Sequence, residues 1–282
     1  MTKAETVVVD THLPYPVFKR GKVRDIYDLG DRLLIVSTDR ISAFDVVLPD
    51  GIPRKGEALT RLSTHWFRQT KNTVQNHMIK TVDPRTVLVK KAKLIPIEFV
   101  VRGYLYGSAW EDYEQGRPVC GVTLRKGLRK AEKLDYPILT PTTKAEKGHD
   151  VEITQKDVER EVGKAAAREI EDVSMKIYAK ASQKAEENGM IVADTKLEFG
   201  TIDDELILID ELLTPDSSRF WSLDTYKAGE DQFSFDKQYV RDYLTSIKWN
   251  KQPPAPTLPP NVIAGTSKKY IEAYERLTGR KF

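Results

Sequence analysis

A single cysteine, Cys120, stands among 282 residues. A lone thiol excludes an intrachain disulfide, so nothing in the chain asks for an oxidising compartment. Long apolar runs are lacking too. No stretch approaches the roughly 20 apolar residues of a membrane span, and residues 1–10 hold no apolar core of signal-peptide length. Nor is there a large excess of one charge: 45 basic against 42 acidic side chains leave +3. So small and interspersed an excess argues against a nucleic-acid surface built on charge. These absences predict a soluble, cytoplasmic protein with neither nucleic acid nor membrane as partner. What is present, 40% hydrophobic and 31% charged residues, suits a globular chain of one large or two ordinary domains.

Periodicity sketches the elements. Residues 23–29 and 32–37 alternate around Gly30-Asp31, a hairpin signal. Residues 57–69 place Ala58, Leu59, Leu62, Trp66 and Phe67 at helical spacing. Residues 86–91 and 97–102 read as strands separated by a segment containing Pro96. A short helix is expected over 108–115, then a long loop over 136–151, which holds two prolines, three threonines and Gly148. Thr154 and Asp157 form a capping box for a helix whose apolar face runs from Val158 to Ala181, with Gly163 a candidate break and Gly189 a cap. Residues 190–194 and 205–210 flank Asp203-Asp204 as a second hairpin. A helix over 235–247, an extended proline strap over 253–260 and a helix over 267–277 follow. The architecture expected is α+β and two-lobed: a β-rich lobe over 1–95, a larger mixed α/β lobe over 96–282, and a hinge near 92–96.

Three stretches carry more charge than a strand pattern needs. In the first, Gly21 lies among Lys19, Arg20, Lys22 and Arg24, where a backbone without Cβ can approach a phosphate and cations can neutralise it. An exposed basic turn would read the same way. In the second, Asp194, Lys196 and Glu198 alternate and so share one strand face. Burying them requires pairing or a ligand. In the third, Asp210 and Glu211 end an apolar strand. If the two strands pair about their turn, Glu198 and Asp210 approach one another, and two convergent carboxylates call for a cation, such as Mg²⁺ bridging to phosphates. Together the three segments indicate phosphoryl chemistry with Mg²⁺ and leave the acceptor open.

The same segments resemble, in order, the motifs of the SAICAR synthase family, the phosphoribosylaminoimidazole-succinocarboxamide synthases of purine biosynthesis. The matching runs are GKVRDIYDLGDRLLIVSTDRISAFD from Gly21, IEFVVRGYLYGSAW from Ile97, PTTKAEKGHD from Pro141, DTKLEFG from Asp194 and DELLTPDSSRFW from Asp210. They span nearly the whole chain and look like the longer, monofunctional form. The resemblance implies a fold similar to that of protein kinases, with ATP between two lobes. It implies ATP-dependent ligation of L-aspartate to carboxyaminoimidazole ribonucleotide through an acyl phosphate.

By the same resemblance, Gly21, Lys22 and Arg24 cover the ATP phosphates, and the segment from Lys90 to residue 95 holds adenine. Glu198 and Asp210 serve Mg²⁺-ATP, with Asp210 a direct metal ligand. Arg102, Ser108 and Arg219 grip the ribonucleotide phosphate, while Asp194 and Lys196 line the reacting carboxylate. Candidates for aspartate are Asp39, Arg40, Ser42 and Asp45, with Lys144, His149 and Asp150 from the proposed loop. Oligomeric state is left open between monomer and small homo-oligomer. A small-molecule kinase with the same two-lobed ATP site is the alternative, although no HRD-type catalytic loop precedes the metal segment.

Overall fold

The computed structural model describes residues 6–144 and 151–282. In chain order its elements are β1 (Val17–Arg20), β2 (Arg24–Asp28), β3 (Arg32–Ser37), β4 (Arg40–Ala43), β5 (Val46–Gly51), α1 (Lys55–Thr70), β6 (Met78–Asp83), β7 (Thr86–Lys90) and β8 (Lys93–Tyr104). There follow α2 (Ser108–Glu114), β9 (Lys133–Thr143), α3 (Gln155–Val162), α4 (Lys164–Glu186), β10 (Met190–Ile202), β11 (Glu205–Ile209), β12 (Ser218–Ser222), α5 (Gln238–Ser246) and α6 (Pro260–Thr278).

One antiparallel sheet has the order β1-β2-β3-β7-β6. A second, ordered β11-β10-β8-β9, also receives β12 along β10. The fold is thus α+β with a β-rich N-terminal sheet, as the residues predict. The main core lies where α1 and α4 cover the second sheet, with Trp66, Phe99, Ile170, Ile177, Leu197 and Phe199 inside. A smaller core joins the two ends of the chain: Ile41, Leu48 and Ile52 pack with Val240, Leu244, Leu258 and Val262.

Local chemistry explains the elements that the sequence announces. Asp203 and Asp204 both adopt positive φ, and Ile202 pairs with Glu205, which makes a two-residue hairpin turn. Thr154 and Asp157 cap α3 reciprocally, and Gly163 at φ 83° separates α3 from α4.

Several expectations need correction. Residues 136–143 of the loop expected over 136–151 are strand: β9 is an edge strand of its sheet, where Pro137 and Pro141 remove no bond to β8, and residues 151–153 bridge its far end. His149 and Asp150 lie outside the described residues. Pro96 does not interrupt β8; it falls where the β8–β10 register shifts. The strap ends sooner than expected, since Pro260 opens α6 at its first turn. Helix α6 includes Gly265, where a Cβ would come within 2.8 Å of the Tyr239 ring.

Candidate active site

Strand β10 is the spine of the site. Its neighbours place Arg102 and Arg219 opposite Asp194, and Glu98 opposite Glu198. Hence Asp194, Lys196 and Glu198, two residues apart, each meet a charged partner on the face they share.

At one end is a cleft of about 210 Å³ whose walls include Arg102, Asp194, Lys196, Ser218 and Arg219. The Arg102 guanidinium donates to Thr140 Oγ1 at 2.9 Å and to Ser108 Oγ at 3.1 Å, and lies 3.4 Å from Asp194. Arg219 also donates to Asp194. The buried Arg102 and half-buried Arg219 guanidinium groups therefore share one carboxylate, and Arg219 Nε is itself shielded with no partner. Such an excess of positive charge suits an anionic ligand, and a guanidinium fork suits phosphate oxygens. Gly107, at φ 62°, lets the chain pass close to Arg219; a Cβ would come 2.7 Å from its Nη2.

At the other end the charge is negative. The Lys196 ammonium lies 2.7 Å from Glu98 and 3.4 Å from Glu198, and Lys144 also donates to Glu198. Arg24 lies 2.7 Å from Asp210 and 3.5 Å from Glu211. Burial works against the Lys196 charge, yet Glu198 and Glu98 outweigh it and hold the ammonium above its usual range. Asp210 is pushed well below the carboxylate range: burial opposes this, and Arg24, Lys196 and Lys144 prevail. Glu98 and Glu211 go the other way, raised by burial and by neighbouring carboxylates. Four acids thus face three cations.

A metal fits that imbalance. Among the described residues no three His, Cys, Asp or Glu side chains converge on a metal-binding point. Mg²⁺ asks for less, since it takes one or two carboxylates and completes its shell with phosphate and water. Glu198 pairs with Ile209, next to Asp210, so both carboxylates issue from one end of the β10–β11 hairpin.

The remaining candidates divide. Gly21 forms a tight turn through a 2.8 Å bond from its N–H to Arg24 O. Lys22 pairs at the surface with Asp45. Lys90 is exposed, and its N–H bonds His77 O. Ser42 is half-buried opposite Val47. Asp39 is fully buried and accepts from Val8 N, Gly56 N and Arg85. Arg40 donates to Val9 O, Lys22 O, Gly21 O and Asp25. Glu98, Lys237 and Arg241 are site residues that the sequence reading passed over. The last two line the cation-rich cleft from the start of α5. Their spacing of four, one helical turn, was the available signal.

Fold and site together define an enzyme of the ligase class, whose site has an acidic end and a basic end along one strand. The family model for SAICAR synthetase matches residues 17–256. A phosphoribosylaminoimidazole-succinocarboxamide synthase of Desulfosudis oleivorans is 52% identical, the alignment covering 98% of this chain and all of the relative. One from Thermodesulfovibrio yellowstonii is 50% identical over 97% of this chain and 99% of its own. The solved SAICAR-synthase from Saccharomyces cerevisiae, complexed with SAICAR, superposes with a TM-score of 0.90 at 41% identity, covering 98% of this chain and 99% of its own. This chain belongs to the SAICAR synthetase family. That membership does not favour the small-molecule kinase.

Proposed function

We propose that the chain uses ATP to join L-aspartate to the carboxylate of carboxyaminoimidazole ribonucleotide, giving the succinocarboxamide, ADP and phosphate. One observation carries the reading: β10 sets a two-arginine cleft and a carboxylate-lysine cluster on the same strand, with Lys196 belonging to both. A carboxylate is a poor electrophile. The γ-phosphoryl group of ATP therefore passes to the substrate carboxylate oxygen, with ADP leaving. The aspartate amine then forms the C–N bond to the acyl carbon as phosphate departs and the nitrogen loses a proton. Positioning and charge stabilisation are the protein's main contributions to such a transfer.

In this reading residues 1–95 supply most of the nucleotide lobe and 96–282 the lobe for the second substrate. Arg102, Ser108 and Arg219 hold the ribonucleotide phosphate. Lys196, between the two ends, steadies the negative charge on the group in transfer, while Asp194 keeps the two arginines oriented. Glu198 and Asp210 hold Mg²⁺, which when bound offsets the polyphosphate charge. Gly21, Lys22 and Arg24 lie over the phosphates, and the chain from Lys90 to Ile95 borders the base. Asp39 and Arg40 are assigned to the scaffold rather than to aspartate, because their polar atoms are already engaged. Lys144 and Ser42 stay as aspartate candidates.

ADP release is the test, measured with Mg²⁺-ATP, carboxyaminoimidazole ribonucleotide and L-aspartate and then with each omitted. Turnover that needs all three is expected. ADP release that ignores both aspartate and ribonucleotide would overturn the assignment.

A further inference from the structure

We propose that a second anion site, for the phosphate group of a small phosphorylated molecule, lies in the groove between α1, the β6–β7 turn and the residues that follow α6. The groove holds about 450 Å³ and is lined by Arg61, Thr64, His65, Arg68 and Arg280 among others, with no carboxylate in its walls. The four α1 residues recur at i, i+3, i+4 and i+7, so they form one face of the helix. Thr81 and Pro84 close the groove from the sheet side.

Its charge is not cancelled internally. Arg61 pairs with Glu57 one helical turn away, but neither Arg68 nor Arg280 has an ion-pair partner among the described residues. In the active-site cleft, by contrast, both arginines lean on Asp194. The floor is polar and unsatisfied. Thr64 Oγ1 and His65 Nε2 are buried with no hydrogen-bond partner, and Thr64 is 7% exposed. Buried polar atoms are seldom left so, and an orphaned hydroxyl and ring nitrogen beside two free guanidinium groups mark a place for an oxyanion. The His65 ring is depressed below the usual imidazole range by burial, and Arg280, Lys184 and Arg68 add to that. An anion seated among these cations would reverse their effect, which makes the ring a reporter. The proposal does not depend on the ligase reading.

The test titrates inorganic phosphate into the full chain while NMR follows the histidine ring resonances, with ionic strength held constant by chloride. His65→Gln identifies the reporting signal. A saturable shift of that signal is expected. The exposed double variant Arg68→Gln/Arg280→Gln should weaken the apparent affinity at least tenfold, with ATP affinity unchanged. Arg219→Ala, which alters the active-site cleft, should leave the His65 response as it is. A shift that never saturates, or one that chloride alone reproduces, would overturn the proposal. So would a saturable shift that the double variant does not weaken.

Discussion

Glu98 on β8 and Glu198 on β10 stand directly opposite one another, and the Lys196 ammonium touches both. Like charges so placed repel, and Lys196 is what makes the pair tolerable. The relationship ties the acidic end of the site to the arginine cleft, because the same lysine lines the cleft.

Lys196→Met removes the shared cation and leaves two buried carboxylates face to face. Burial and Glu198 already hold Glu98 above its usual range, with Lys196 the chief opposing influence. Without it, Glu98 should be driven still further above its usual range. Turnover should fall at least 100-fold, a loss of about 3 kcal/mol of transition-state stabilisation. Rates of ADP release decide this; a variant within a few-fold of the parent would place Lys196 outside the chemistry.

Asp210→Asn should abolish turnover while the fold persists. Arg24 keeps Glu211 at 3.5 Å, so the change does not strand an unpaired buried guanidinium. The thermal transition and the Mg²⁺ dependence of ADP release, measured together, separate folding from function. Residual activity with an unchanged Mg²⁺ requirement would argue that Asp210 does not hold the metal.

Arg219→Ala should act on one substrate. Charged hydrogen bonds contribute roughly 1.5–3 kcal/mol, so KM for the ribonucleotide should rise about 10- to 100-fold while KM for ATP changes little. Equal effects on both substrates would mean that Asp194, released from one arginine, disturbs the whole strand.

His77 offers a pH test. Burial, partly opposed by Asp210, lowers its pKa to about 4, and Nε2 lies buried without a partner. With an unfolded value near 6.5, the unfolded chain binds the proton first as pH drops. Stability therefore declines between about pH 6.5 and 4 by up to roughly 3 kcal/mol. Above that window both states are neutral and His77 contributes nothing pH-dependent. His77→Gln should flatten that part of the stability profile in denaturant titrations; an unchanged slope would assign it to other groups.

The elements most legible in the sequence were those with local causes. Asp203-Asp204 sets a turn, Thr154 and Asp157 cap a helix, and alternation along 194–198 gathers three charged side chains on one face. The motifs placed Arg102, Asp194 and Arg219 in one neighbourhood, and the register of β8, β10 and β12 puts them there. Long-range complementarity was hidden. Asp39 and Arg40 read as ligand groups because nothing local shows that Val8, Gly56 and Arg85 fill one while Gly21, Lys22 and Asp25 occupy the other. Pro137 and Pro141 read as loop because edge position is a property of the sheet, not of the segment.

Lys55 and Asp216, 161 residues apart, are hidden in the same way and carry the last prediction. The Lys55 ammonium is fully buried at 2.7 Å from Asp216, which also accepts from Tyr270 at 2.6 Å and has Lys237 at 3.4 Å. Through this cluster α1 and α6 hold the loop that leads into Ser218 and Arg219. Burial disfavours the Asp216 charge, but Lys237 and Lys55 win and hold the carboxyl well below its usual range. A depressed carboxyl stabilises the fold above its unfolded pKa, near 4, and that contribution disappears as pH falls through the lower folded value. Lys55→Met keeps the packing stem and removes the charge, so it should cost about 3 kcal/mol at neutral pH, where Asp216 stays ionised with Lys237 as its remaining cation. Below about pH 4 the difference between parent and variant should narrow, because protonated Asp216 no longer needs the lysine. Denaturant unfolding at several pH values reads both numbers. A difference that stays constant from neutral to acid pH would trace the loss to side-chain packing and not to the ion pair.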